Sequence, residues 1–109
     1  MIIISEEKDM ILVRDIFQLK FGKAREARKL FQEGMEHMKN MSISPLRFLT
    51  DLTGPYYTLV MESTFENLTE FEKYFKNETE DPEWKNWYQK FIPLVESGRR
   101  EIFNIEEFK

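Results

Sequence analysis

Residues 11–21 read ILVRDIFQLKF. The run is rich in β-branched and aromatic side chains, which suit a pleated, packed surface. Strand alternation puts Ile11, Val13, Phe17 and Leu19 on one face, with Asp15 among them. Leu12, Arg14, Ile16 and Gln18 point the other way. Both faces are mostly apolar, so both are expected to be covered, whereas an antiparallel sheet commonly leaves one face in water.

The flanking segments say what covers the first face. After Gly22, residues Lys23 to Met41 carry a helical period, with Ala24, Ala27, Phe31, Gly34, Met38 and Met41 three or four apart. The small Ala24, Ala27 and Gly34 are expected to let this helix sit close to a sheet. Arg25, Glu26 and Arg28 form a solvated face. Ser42 to Leu52 is a second strand. Pro45 near its start removes a ladder donor, which places this strand at an edge. Thr53-Gly54-Pro55 signals a turn, and Tyr56 to Phe65 is a third strand that completes a hairpin.

Asn67 and Glu70 resemble a capping box ahead of Leu68, Phe71 and Phe75. The acidic stretch Asn77 to Asp81 is expected to interrupt that helix, and the mixed-sign tract Lys76 to Glu83 to form a surface loop usable as a lid. Asp81-Pro82-Glu83 starts a helix again: Asp81 caps it, and Pro82 fits the first helical position. Trp84, Trp87, Tyr88, Phe91 and Val95 share one face, Pro93 shortens the helix, and Ser97-Gly98 ends it. Arg99 to Glu106 alternates as a fourth strand.

The order is therefore β-α-β-β-α-β. Two right-handed crossovers around a hairpin give a ferredoxin-like α+β fold, a four-stranded antiparallel sheet with its helices on one face. The other face keeps apolar side chains with no helix over them. A homodimer whose second sheet closes over that face is the expected remedy.

Composition sets limits on function. A chain of 109 residues makes one domain, 1–109, with residues 1–10 as a loose or strand-like leader. With 41% apolar and 15% aromatic residues it has the means to build a core. No apolar run approaches the ~20 residues of a membrane helix. Ile2 to Ile4 is too short for a signal-peptide core, so a cytoplasmic protein with no membrane partner is expected. Sixteen basic against twenty acidic residues leave a net charge of −4, which disfavours nucleic acid as a partner. The absence of Cys excludes disulfides, thiolate metal sites and cysteine nucleophiles. No phosphate loop, dinucleotide fingerprint, zinc signature or nucleophile elbow is present, so no cofactor and no metal are expected.

Two segments resemble a known group. Leu12 to Lys23, LVRDIFQLKFGK, is similar to the opening strand and turn of NIPSNAP-like proteins. Asp81-Pro82-Glu83-Trp84, with the later Pro93-Leu94-Val95 and Ser97 to Ile102, is similar to their closing helix and strand. The likeness spans about residues 11–106. It implies membership of the dimeric α+β barrel superfamily, which also contains antibiotic-biosynthesis-type monooxygenases, EthD-like proteins, muconolactone isomerases and haem-degrading monooxygenases. That superfamily's small-molecule substrates lie in a cavity between helices and sheet. Fold membership alone does not assign an activity.

Within that frame the candidate pocket residues are His37, Trp84, Trp87, Tyr88, Arg14, Arg47 and Arg100. His37 is the only histidine and lies at the edge of the first helix's buried face, as a base, an axial ligand or a half-buried boundary residue. Glu33, one turn earlier, would give a metal only two ligands, fewer than a stable site needs. The Trp84, Trp87, Tyr88 and Phe91 stripe is either core or a pocket wall. Arg14, Arg47 and Arg100 must each find a carboxylate, with Asp15, Asp51, Glu62 and Glu101 on offer, or anchor an acidic substrate. Three functions are therefore expected to compete. The first is a small-molecule enzyme of the cofactor-independent monooxygenase or isomerase kind. The second is a non-catalytic dimeric binding or stress-associated module, and the third is a haem-binding protein.

Overall fold

A computed structural model of the chain describes residues 10–40 and 46–108. Strand β1 (Ile11–Leu19) is followed by α1 (Ala24–Asn40), β2 (Leu46–Thr50) and β3 (Thr58–Phe65). Then come α2 (Leu68–Glu80), α3 (Pro82–Phe91), a 3₁₀ turn at Ile92–Leu94, and β4 (Val95–Asn104). The sheet order is β2-β3-β1-β4, and every neighbouring pair is antiparallel. This is the ferredoxin-like α+β arrangement, with β2 at an edge. Pro45 and the leader residues 1–9 lie outside the described residues.

Register decides the two faces. Ile11, Val13, Asp15, Phe17 and Leu19 share their face with Leu59, Met61, Ser63 and Phe65 of β3 and with Gly98, Arg100 and Ile102 of β4. The helices pack on this side. Its core joins Leu19, Leu59 and Leu94 to Ala27, Leu30 and Phe31 of α1 and Phe91 of α3. A smaller cluster joins Ile11 and Val13 to Phe71 of α2. Edge-to-face contacts from Phe31 to Phe48, Trp87 and Phe91, with centroids 4.9–5.3 Å apart, tie α1 to α3 and to the sheet. Arg25, Glu26 and Arg28 are exposed, as their position on α1 predicts.

Local chemistry accounts for the helix ends. Asn67 accepts from Glu70 N at 2.9 Å, and Asp81 accepts from Glu83 N at 3.0 Å with Pro82 opening α3. Four expectations need correction. The acidic tract does not interrupt α2: Lys76 to Glu80 stay helical, and the break is confined to Asp81. The stretch Lys76 to Glu83 is thus two helix ends meeting at one extended residue, not a loop or lid. A Tyr74 hydroxyl that donates to Glu78 across one turn supports the last part of α2.

The third correction concerns Ser97-Gly98, which does not end α3. Pro93 already stops it at Phe91, and β4 begins at Val95. Gly98 sits inside the strand because a Cβ there would lie 2.9 Å from the Phe17 ring. Gly34 likewise serves a different neighbour from the one expected. Its missing Cβ makes room for the Trp87 indole of α3, 2.9 Å away, and not for the sheet.

The helix-free face carries Leu12, Ile16, Leu49, Val60 and Phe103, but charges run through its middle. Glu62 is 6% exposed, with Arg14 Nε at 3.0 Å from one oxygen and Arg47 Nε at 2.9 Å from the other. Among the described residues no helix is long and apolar enough to cross a membrane.

Candidate active site

A cavity of about 530 Å³ opens between the helix layer and the sheet. Its floor is Val13, Asp15 and Phe17 of β1 with Met61 and Ser63 of β3. Phe31 and Met38 of α1 form one wall, and Tyr74, Phe75 and Glu78 of α2 another. Trp84, Trp87, Tyr88 and Phe91 of α3 close the third side. Residues one turn apart on α3 stack: Trp84 on Tyr88 with centroids at 4.7 Å, and Trp87 on Phe91 at 5.2 Å. The Trp87 indole N–H donates to Leu30 O at 2.9 Å, which fixes the ring's height. Such flat, anchored rings make a slot suited to a planar ligand.

The polar groups gather between α2 and the sheet. Asp15 accepts from Arg100 Nε at 2.7 Å. The Arg100 guanidinium lies over Phe75 at 4.6 Å and Phe71 at 5.1 Å from the ring centres. Tyr74 donates its hydroxyl to Glu78. Burial, above all, pushes the Glu78 carboxyl up from its ordinary range; the Asp15 charge adds to this, while the Tyr74 hydrogen bond and Arg100 oppose it. Burial and the neighbouring Glu78 push the Tyr74 phenol far above its usual range, so it stays a hydrogen-bond donor.

The seven candidate residues divide between three places. Trp84, Trp87, Tyr88 and Arg100 line the cavity together. His37 lies on a smaller hollow of about 160 Å³ behind it, across a partition that includes Glu78, Trp84 and Trp87. Its Nε2 contacts Asp81, and its Nδ1 is 2.8 Å from Glu83. The two ring nitrogens face opposite ways, so these carboxylates and the imidazole offer no common point to an ion. Arg14 and Arg47 are on the other side of the sheet, because positions 14 and 47 pair through Glu62 on the helix-free face. Of the four carboxylates on offer, Glu62 and Asp15 take these arginines. Asp51 instead accepts from Thr58 N, and Glu101 meets Arg99.

Tyr74 and Glu78 were not among the sequence candidates. The signal was present: the helical period through Phe71 and Phe75 continues to Glu78 one turn later. Taking Asn77 to Asp81 as a break hid it. A wider groove of about 1080 Å³ runs between α1 and the β2–β3 connection. Arg25, Arg28 and Gln32 of α1 line one side of it, and its one acidic lining residue, Asp51, is bonded to backbone.

A ferredoxin-like sheet with an aromatic cavity under its helices defines a class of small α+β proteins with an internal pocket. The NIPSNAP family profile matches residues 14–108. The chain belongs to the NIPSNAP family. No functionally curated protein matches it. It is similar to a NIPSNAP family protein from Agrobacterium tumefaciens strain C58, with 20% identity and a TM-score of 0.85 over 98% of this chain and 95% of that one. An uncharacterised NIPSNAP-like domain protein from Burkholderia xenovorans has 20% identity and a TM-score of 0.84, over 94% and 90% of the two chains. SnoaB, a cofactor-independent oxygenase from Streptomyces nogalater, has the same fold at 11% identity and a TM-score of 0.69, over 92% and 96%. At these identities the structures establish the fold alone.

Proposed function

We propose that this chain binds a planar, largely aromatic small molecule between its helices and sheet and acts on it without a cofactor, as an isomerase or oxygenase would. The observation that carries this reading is the cavity: about 530 Å³ of mainly aromatic wall with Asp15, Arg100, Tyr74 and Glu78 converging on it. An apolar slot of this size with a few placed polar groups is what small-ligand sites look like. Excluding water from a reactive planar substrate, and orienting it, is chemistry that side chains supply unaided. The oxygenase SnoaB shares the fold and supports the comparison. A haem on His37 finds no support, since both ring nitrogens already contact carboxylates.

Fluorescence of Trp84 and Trp87 tests the site directly. Titration with 2-naphthol is expected to give saturable quenching that Trp84→Phe weakens. Quenching that never saturates up to millimolar probe would end this reading.

The same proposal includes a second copy of the chain over the helix-free face. The exposed Phe103 and the half-buried Leu12 flank the Glu62 ion cluster there, beside the already buried Ile16 and Val60, and a partner sheet would remove Phe103 and Leu12 from water. Sedimentation is expected to give twice the 13.3 kDa chain mass. A single-chain mass at micromolar concentration would refute the dimer without touching the cavity.

A further inference from the structure

The polar groups of the cavity carry a sharper statement, which rests on the reading of that cavity as a ligand site. Two carboxylates, Asp15 and Glu78, and one guanidinium, Arg100, converge there, and the guanidinium is already paired through Nε with Asp15 at 2.7 Å and lies over the rings of Phe71 and Phe75. Arg99 also borders the cavity, but its side chain meets Glu101 on the opposite face of the sheet. Among the described residues an anionic ligand would therefore face two carboxylates against one guanidinium whose charge Asp15 already offsets. A neutral ligand would meet a carboxylate in apolar surroundings. One Glu78 oxygen accepts from Tyr74; the other is left to a ligand.

We propose that Glu78 is the proton-transfer group for keto–enol isomerisation of a neutral, planar aromatic ketone, with Tyr74 as its positioning residue. The substrate stacks in the slot formed by the α3 rings, with its carbonyl side toward α2. The Glu78 carboxylate removes a proton from the carbon next to the carbonyl. The C–H electron pair becomes a C=C bond, and the carbonyl π pair moves to oxygen. The Glu78 carboxylic acid then delivers the same proton to that oxygen, or to a conjugated carbon, and returns to carboxylate. No electron leaves the substrate, so no oxidant or cofactor is required. Burial and the nearby Asp15 charge raise the proton affinity of Glu78, which strengthens it as a base. The groups facing it are Tyr74 on its own helix, Asp15 on β1, Arg100 on β4 and Asp81 at the helix junction, and it shares the smaller hollow with Glu33 and His37 of α1 and Glu83 and Lys90 of α3.

The probe is 2-tetralone, a bicyclic aromatic ketone with acidic C–H bonds, dissolved in D₂O with the full-length protein. Proton NMR follows loss of the signals next to the carbonyl, and tryptophan quenching follows binding. Wild type is expected to speed exchange about 100-fold over buffer, within the usual reach of a positioned general base. Glu78→Gln is expected to bring the rate back to that of buffer while half-saturation of quenching moves less than about threefold, because Gln keeps the shape. The carboxylate 2-naphthoate is expected to bind at least about tenfold more weakly than 2-tetralone.

The pH profile of exchange gives a readout that packing alone would not move. Tyr74→Phe should shift its midpoint up and Asp15→Asn should shift it down, because the Tyr74 hydrogen bond favours ionised Glu78 and the Asp15 charge opposes it. These two variants decide the matter if Glu78→Gln does not fold. Quenching without exchange, wild-type exchange in Glu78→Gln, or midpoints that stay fixed would overturn the proton-transfer role and leave the cavity standing as a binding site. Absence of saturable quenching by both 2-tetralone and 2-naphthol would overturn the site itself.

Discussion

Glu62 and Glu78 are both withdrawn from solvent, one on each side of the same sheet, and their neighbours differ. Glu62 stands in the middle of β3 between Arg14 and Arg47, both oxygens engaged by guanidinium nitrogens. Glu78 stands on α2 with a phenol hydroxyl as its hydrogen-bond partner, a second carboxylate nearby and a cavity beside it. Two cations around one anion make a locked group whose removal leaves charges stranded. A carboxylate held against burial and like charge is costly as an ion and therefore useful as a base. The comparison separates a charge that holds the sheet together from one available for chemistry.

The largest test of that contrast is a matched pair of substitutions. Glu62→Ala strands the half-buried Arg14 and should lower unfolding stability by about 3 kcal/mol, at the lower end for a broken buried pair because Arg47 is exposed. Glu78→Gln should change stability by less than about 1 kcal/mol, since a neutral amide avoids the cost of burying charge. Urea unfolding of both proteins measures the difference. Equal losses would show that Glu78 is as structural as Glu62 and would remove the basis of the contrast.

A second test asks whether the aromatic wall beside Glu78 is as tightly fitted as the packing indicates. Gly34→Ala gains up to ~1 kcal/mol of helix propensity. The added methyl, however, meets the Trp87 indole at 2.9 Å, and that ring is held by its bond to Leu30 O. A net loss of about 1–2 kcal/mol is expected from overpacking, together with a change in tryptophan emission as the ring shifts. A stabilised variant with unchanged emission would mean that the wall can yield.

A third substitution acts on α2 alone. Asn67→Ala removes the side-chain bond to Glu70 N and should cost about 1 kcal/mol, read from the unfolding midpoint. The helix that carries Tyr74 and Glu78 would loosen, while the Arg14–Glu62–Arg47 cluster on the other face would not. Hydrogen exchange of α2 amides should rise ahead of that of β3 amides. Uniform acceleration in both would argue that the two sides unfold as one unit.

Much of this arrangement is legible in the sequence where a local rule and a periodic pattern agree. The alternation of residues 11–19 sorts the two faces correctly, the Asn67 and Asp81 caps are both present, and Pro93 stops α3. The misreadings share a cause. Acidic residues at Asn77 to Asp81 look like a loop because propensity favours ending a helix there, yet Tyr74 bonds back to Glu78 and the helix continues. Ser97-Gly98 looks like a terminator, yet the glycine answers to Phe17, far earlier in the chain and adjacent only through the β1–β4 register. The arginines show the same limit. Their need for carboxylates is plain from composition, but which side of the sheet each occupies depends on strand register. Register separates Arg14 and Arg47 from Arg100 and the cavity.

The finest test of the contrast is the pH dependence of stability, in which Glu78 and Asp81 carry opposite signs. Glu78 titrates above its ordinary range in the folded protein, so the folded state holds its proton more tightly than the unfolded chain does. Its contribution is complete below the unfolded value of 4.5 and is lost as pH rises through the folded value. Asp81 is held below its ordinary range, chiefly by the hydrogen bond with His37. Its contribution is present above 3.8 and is lost as pH falls through the folded value. Lowering the pH from neutrality should therefore first stabilise the protein through Glu78, with a slope of at most ~1.4 kcal/mol per pH unit for one proton, and then destabilise it through Asp81. Glu78→Gln should erase the first limb and spare the second, whereas His37→Gln should weaken the second and spare the first. Chemical unfolding from pH 3 to 7 on these three proteins reads both limbs. A first limb that survives in Glu78→Gln would assign the raised titration to another group and dissolve the distinction between the two glutamates.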